Sequence, residues 1–473
     1  MSNSSSLASK RIASLLDENS FVEIGAMVTA RATDFNMKQT DTPSDGVITG
    51  YGVINGNLVY VYSQDATVLN GSVGEMHAKK IANIYDMAIK MGAPVIGLID
   101  SAGLRLQEAT DALNGFGKIY QKQVMASGVV PQITAIFGSC GGGLAIIPTL
   151  TDFTFMEDSK AKLFVNTPNS IDGNTATKCD TASAKFQSSE AGIVDVVASE
   201  DDILAEIRNL VCILENDVMG EECEDDLNRA CTNAEASIDD AALLINEIAD
   251  ANAFFEVKAD YAKDMVTGFI KLDGLTVGCV ANRSKVYDDN AEVVCEFKKT
   301  LSVNGCEKAA DFVNFCDAFS IPVLSLTNVK GFEATMESEK AIAKSVAKLT
   351  YSFANATVPK VNVITGEAFG SAYVAMNSRA IGADITIAWS DAKIGMMDAG
   401  LAAKIMCDGQ GADAIDACAK EYDSLQNSVV SAARRGFVDQ VIDAVDTRKY
   451  VIGAFEMLFT KFEGRPDKKH GTV

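Results

Sequence analysis

The sequence predicts an α/β fold written twice: two tandem copies of one domain, each a mostly parallel sheet with helices on its faces. Three observations carry this. Four stretches of the first half recur in the same order in the second, two of them at an identical spacing. Within each copy, short Val/Ile-rich runs alternate with amphipathic helical ones, the pattern of strands joined through helices. Each copy also opens on a hairpin signal, Asn55-Gly56 or Asp273-Gly274, flanked by strand-like residues.

The elements follow in order. "TGYGVINGNLVYVYSQD" (Thr49–Asp65) recurs as "TGFIKLDGLTVGCVANR" (Thr267–Arg283), with Gly50 and Gly56 falling on Gly268 and Gly274, 218 positions on. The helix and strand of "KIANIYDMAIKMGAPVIGLIDSAG" (Lys80–Gly103) recur as "KAADFVNFCDAFSIPVLSLTNVKG" (Lys308–Gly331), now 228 positions on. "VPQITAIFGSCGGGLA" (Val130–Ala145) keeps that spacing in "VPKVNVITGEAFGSAY" (Val358–Tyr373), and "AGIVDVV" is echoed by "RGFVDQVI". The copies are expected over 1–217 and 256–473, joined by an acidic helical linker over 218–255. Ligands of such sheets bind at the carboxyl ends of the strands.

Composition removes several classes of function. A chain of 473 residues with 48% hydrophobic residues and 8 prolines is long enough for two packed cores. The net charge of −23, with no stripe of lysine or arginine, argues against nucleic acid and anionic membranes. "MSNSSSLASKR" lacks an apolar signal core and no run is long enough to span a bilayer, so a cytoplasmic protein is expected. The eleven cysteines, Cys140 to Cys418, contain no C-x-x-C pair, so no metal site is expected and reduced, mostly buried thiols are. There are two histidines, His77 and His470. A Ser-His-Asp or Cys-His mechanism would rest on His77 alone, for which a surface or capping role is expected.

Two turns follow strands in each copy. The first is "IDSAGLRLQE" (Ile99–Glu108) or "LTNVKGFEAT" (Leu326–Thr335); the second is "GSCGGGLA" or "GEAFGSAY". A strand ending in small residues and opening a helix leaves backbone N–H groups unpaired, and two of them can hold an oxygen that gains charge during reaction. Glycines there could also serve only close helix packing. A phosphate loop is excluded, because no lysine follows Gly138–Gly143.

The stretch Gly46–Met156, with "DSAGLRLQEA", "ASGVVPQITAIFG", "CGGG" and "TDFTFM", resembles the carboxyltransferase subunits of biotin-dependent acyl-CoA carboxylases and decarboxylases. "ATVPKVNVITGEAFGSAYVAMNSRAIGAD" is similar to the second domain of that family. The resemblance implies tandem crotonase (ClpP-like) domains, the first on the acyl-CoA side and the second on the biotin side. It implies transfer of a carboxyl group between carboxybiotin and the α-carbon of a short acyl-CoA, propionyl/methylmalonyl or acetyl/malonyl. One oxyanion hole would use the amides of Leu104 and Gly142–Gly143 and hold the thioester enolate. The other would use Phe332 and Ser371–Ala372 and face the biotin ureido oxygen. Ser101, Gly103, Lys330, Gly331 and Val374 would line the substrate sites. Biotin itself would take the α-proton, which fits a chain so poor in histidine.

Three positions depart from the family's usual motifs. Leu104 stands where alanine is usual, Lys330 where proline is, and Ser371 where glycine is. Without a biotinylation motif of its own, the chain needs a separate biotin carboxyl carrier protein. The further partner is a biotin carboxylase or the membrane subunits of a sodium-pumping decarboxylase, to which this chain would be peripheral. A homo-oligomer, a hexamer in the family, is expected. Two alternatives stay open: a biotin-independent hydratase or isomerase using Glu108 and Asp111, and a non-catalytic subunit.

Overall fold

A computed structural model describes residues 6–31, 41–215, 223–288 and 290–468; His470 lies outside them. The chain divides into two compact units, Met1–Glu215 and Asn216–Val473. In the first, seven strands form one sheet in chain order: β1 (Val22–Glu23), β2 (Val47–Ile54), β3 (Asn57–Gln64), β4 (Val95–Ile99), β5 (Gln132–Ile136), β6 (Phe153–Glu157) and β7 (Val196–Ala198). The pairs β1–β2 and β2–β3 are antiparallel, and every later pair is parallel. In the second unit β8 (Phe254–Val257), β9 (Met265–Leu272), β10 (Leu275–Asn282), β11 (Val323–Val329), β12 (Lys360–Phe369), β13 (Ile385–Trp389) and β14 (Gln440–Ile442) repeat the same order and the same sense.

The hairpins form where the sequence places them. Asn55 and Gly56 take φ of 48° and 88°, and Asp273 and Gly274 take 52° and 72°. Positive φ at both central residues is the geometry whose twist matches the flanking strands. Every residue of β4, β5, β6 and β11 is buried, as expected of parallel strands covered on both faces.

The covering helices show the 3.6-residue period. On α2 (Glu75–Met91) the buried face runs through Ala78, Ile81, Ile84, Tyr85 and Ala88, and Gly92 ends the helix at φ 68°. In the second unit, Ser302 caps its counterpart α6 (Val303–Ala318) by accepting from the Gly305 N–H. Helices α1 (Leu7–Leu15), α3 (Ala109–Ala126) and α4 (Glu200–Leu214) also belong to the first unit, and α7 (Ile342–Asn355) packs on α6 in the second.

Where the sequence suggests a helical linker over 218–255, residues 223–255 fold onto the second unit. Cys231, Ala234, Leu244, Ile245 and Ile248 are buried in its core. Only α5 (Ala241–Ile248) of this stretch is α-helical; 223–240 is a series of turns. The cause is apolar spacing within the acidic run, together with buried Arg448, which donates to Ile248 O and pairs with Asp250, each at 2.6 Å. The thiols are also less buried than expected: five of the eleven are buried, five are half-buried and Cys179 is exposed.

Candidate functional site

In the first unit the turn after β4 is held from three sides. Ser101 N–H donates to Ser139 O (3.1 Å), which ties this turn to the strand leading into the glycines. Ser101 Oγ donates to Gly71 O (2.7 Å) and accepts from Gly103 N–H (3.0 Å), fixing Gly103 at φ 92°. Val73 N–H then donates to Gly103 O and Arg105 N–H to Val73 O, a parallel bridge between Val73 and Leu104. In such a bridge both bonds belong to the neighbours of Leu104, so its own N–H points away from the pair. Ser101 is 2% exposed. Its side chain shapes the turn, whereas the sequence places it on the substrate.

The second turn brings Gly142 and Gly143 to the same place: a Cβ on Gly103 would lie 3.5 Å from Gly141 O. Gly142 takes φ 62° and opens a 3-10 turn, Gly142–Ala145. The N–H groups of its first residues have no acceptor within the turn. Gly143 O accepts from Tyr120 Oη at 2.5 Å, which anchors the turn to α3.

The second unit repeats this arrangement. Residues Thr300–Leu301 pair in parallel with Gly331–Phe332, and Glu333 N–H donates to Leu301 O. Leu301 and Phe332 stand as Val73 and Leu104 do, leaving the Phe332 N–H facing outward. Helix α8 (Gly370–Ala375) packs on Gly331–Phe332 and begins at Gly370, whose φ of 62° equals that of Gly142. The demand for positive φ thus falls on Gly370, and Ser371 is free of it. By this register the counterparts of Gly142–Gly143 are Gly370–Ser371, one residue before the pair Ser371–Ala372 read from sequence. Lys330 pairs with Glu367 at 3.0 Å, linking the two turns. Val374 is half-buried on α8.

The carboxylates weighed for a hydratase are placed otherwise. Glu108 is buried; one oxygen meets Arg105 Nη1 (2.7 Å) and the other accepts the Glu75 N–H (2.6 Å) at the start of α2. Arg105 also pairs with fully buried Asp45 (2.6 Å). Asp111 is exposed and pairs with Arg31.

His77 is neither a surface nor a capping residue. It is fully buried, with Nδ1 3.0 Å from Asp45 O and Nε2 3.2 Å from Gln64 Nε2. The contacts fit a neutral ring that donates from Nδ1 and accepts at Nε2. Burial lowers its pKa from 6.5 to about 3, aided by the nearby Arg105 charge. The folded value is depressed, so stability is complete above pH 6.5 and lost as pH falls toward 3. Below pH 6.5 the unfolded chain binds a proton that the folded chain refuses, a slope approaching about 1.4 kcal/mol per pH unit. Denaturant melts of wild type and His77→Gln between pH 7 and 5 should show that slope reduced in the variant.

Gln64, Asp45 and the buried lysines escape a motif search. Lys308 Nζ donates to Lys258 O, Tyr261 O and Met265 O at 2.7–2.8 Å, as Lys80 Nζ does to Ser44 O and Val47 O. The 228-position spacing sets Lys80 on Lys308, but nothing in the sequence alone shows that the pair is buried on backbone carbonyls. Among the described residues, no helix is long and apolar enough to cross a membrane and no group of His, Cys, Asp and Glu could hold a metal ion.

A carboxyl transferase domain model matches residues 1–473. The chain is 39% identical to the methylmalonyl-CoA decarboxylase subunit alpha of Propionigenium modestum, covering 98% of this chain and 92% of that one. It is 40% identical to the propionyl-CoA carboxylase beta chain of Roseobacter denitrificans, covering 98% and 93%. Among solved structures it is similar to transcarboxylase 12S, a hexamer with hydrolysed methylmalonyl-CoA bound. The TM-score is 0.90 at 36% identity over 98% of this chain and 92% of that one.

Proposed function

This chain belongs to the carboxyl transferase family, and from that premise we propose that it moves a carboxyl group between biotin, carried on a separate protein, and the α-carbon of a short acyl-CoA. Propionyl/methylmalonyl is the preferred pair and acetyl/malonyl the second. The observation that carries this is the duplication of one backbone device: outward amides after two strands, in each unit, with Gly142 and Gly370 at the same φ of 62°. One such device suits one developing oxyanion; two suit a reaction with a carbonyl on each substrate.

In the first unit, the amides of Leu104 and Gly142–Gly143 would receive the thioester oxygen as it becomes an enolate. In the second, the amides of Phe332 and of Ser371–Ala372, the pair that the resemblance implies, would face the ureido oxygen of biotin, Ser371 being the residue shared with the register counterpart Gly370–Ser371. The exposed Ser371 and the 36% exposed Phe332 ring leave that turn open to a neutral ring system, so the residues fit the group. Biotin, when bound, supplies the carboxyl carrier and the acceptor of the α-proton. The chain contributes position and N–H donors. His77 is buried and neutral and Glu108 is locked in an ion pair, so neither acts as the base. Lys330, already paired with Glu367, is oriented for the turn rather than for substrate.

The same residues serve carboxylation and its reverse. The identity to a decarboxylase alpha subunit favours the reverse direction, within a membrane decarboxylase complex, as the second reading. With a biotin carboxylase, the chain would work as a carboxylase subunit. In either setting we place it in a homo-oligomer, a hexamer by analogy with the hexamer assembly of transcarboxylase 12S. Incubating the purified protein with methylmalonyl-CoA or malonyl-CoA, with and without free biotin, should show biotin-dependent loss of carboxylate, faster from methylmalonyl-CoA. Light scattering should give the hexamer mass. A folded oligomer, inactive on both thioesters with an authentic biotin carrier added, would overturn the reading.

A further inference from the structure

The two copies have diverged at the turn residues themselves. Ser101 is matched by Val329, Leu104 by Phe332, Arg105 by Glu333 and Gly143 by Ser371. What they share lies one layer behind. At the end of β3, the Gln64 side-chain oxygen accepts the backbone N–H of Asp100, at the head of the first turn (3.2 Å). At the end of β10, the Asn282 side-chain oxygen accepts the backbone N–H of Asn328, at the head of the matching turn (2.9 Å). Asn282 Nδ2 also donates to Asn328 O, so its amide grips both backbone groups of one residue. Gln64 is 1% exposed, Asn282 5% and Asn328 4%.

The grip extends to the second turn. Asn328 Oδ1 accepts the N–H of Glu367 (3.1 Å), three residues before Gly370. A Cβ on Gly366 would sit 2.7 Å from that oxygen. The first unit has the same relation: a Cβ on Gly138 would lie 2.0 Å from Asp100 Oδ1. In each copy the side chain at the head of the first turn therefore occupies the space left by a glycine on the segment feeding the second. That glycine is needed for its missing Cβ, which distinguishes it from Gly142 and Gly370, needed for their φ.

We infer that Gln64 and Asn282 are positioning residues, each holding an amide turn at the distance and angle that aims its N–H groups at a substrate oxygen. The role of those turns rests on the function proposed above, and the experiment separates the two. In the full-length protein, hydrogen exchange read by mass spectrometry should quicken about tenfold across 327–333 and 366–372 in Asn282→Leu, and stay as in wild type across 100–105. Gln64→Leu should show the converse. In biotin-dependent decarboxylation each variant should lose about tenfold in kcat, part of the effect of losing an oxyanion donor outright. The KM for acyl-CoA should be unchanged in Asn282→Leu. Asn282→Gln keeps both the accepting oxygen and the donating amide, the group that the first copy carries at Gln64, and should hold 327–333 at wild-type exchange, which guards against a variant that merely misfolds.

Wild-type exchange across 327–333 in folded Asn282→Leu would overturn the inference. So would faster exchange with undiminished kcat. A wild type lacking biotin-dependent turnover would instead overturn the carboxyl-transfer reading, and the exchange data would still judge the clamp.

Discussion

Replacing Gly143 with valine is expected to lower kcat/KM for the acyl-CoA by about 100-fold or more, with the protein still folded. Gly143 is exposed and is absent from the positive-φ positions, so valine meets no backbone strain. An added Cβ would lie 3.1 Å from Tyr120 Oη and 3.8 Å from Phe116, a tight fit at the surface rather than a clash in the core. The valine side chain would crowd Tyr120, whose hydroxyl anchors the turn through Gly143 O, and so move the amides of Gly142 and Gly143 off the thioester oxygen. Steady-state kinetics with the better of the two thioesters, beside a thermal melt within a few degrees of wild type, checks this. If the glycines only allowed close helix packing, valine would shift the melt and leave turnover per folded molecule intact.

Ala372→Pro is the counterpart in the second unit and removes a donor instead of covering one. Position 372 lies in the first turn of α8, where the missing N–H breaks no helical bond; because Ala372 is fully buried, a thermal melt is read beside the kinetics and turnover is taken per folded molecule. The expected result is a fall in kcat of about 100- to 1,000-fold, with acyl-CoA affinity by calorimetry unchanged, because that substrate belongs to the first unit. Ser371→Ala, which keeps every backbone amide, should stay within about twofold of wild type. A large loss in Ser371→Ala would mean that the hydroxyl, rather than the backbone, does the work.

Much of the fold was legible because it depends on local signals repeated in one chain. The Asn-Gly and Asp-Gly hairpins, the Val/Ile-rich parallel strands and the α2 period each appear in the sequence as they do in the structure. The glycine turns were legible through their recurrence. What escaped was whatever depends on burial or register. His77 looked like a surface residue because its neighbours on α2 are polar, yet its partners Asp45 and Gln64 come from other elements. The acidic run after 218 looked like a linker because charge masked the spacing of Cys231, Ala234, Leu244 and Ile248. The 228-position spacing already sets Gly370 on Gly142, and their shared φ of 62° gives the match its physical reason, although the pair implied for the second unit, Ser371–Ala372, lies one residue along. Gln64 and Asn282 carry no motif at all; only the duplicated fold makes them comparable.

The central claim is that carboxyl passes to biotin and is not simply lost. Carboxyl-labelled methylmalonyl-CoA incubated with the protein and its biotin carrier, quenched by methylation to trap the labelled adduct, tests it most directly. The account predicts label on the carrier, in amounts that fall in Gly143→Val and Ala372→Pro alike. Label released only as carbon dioxide, at the same rate with or without the carrier, would contradict it.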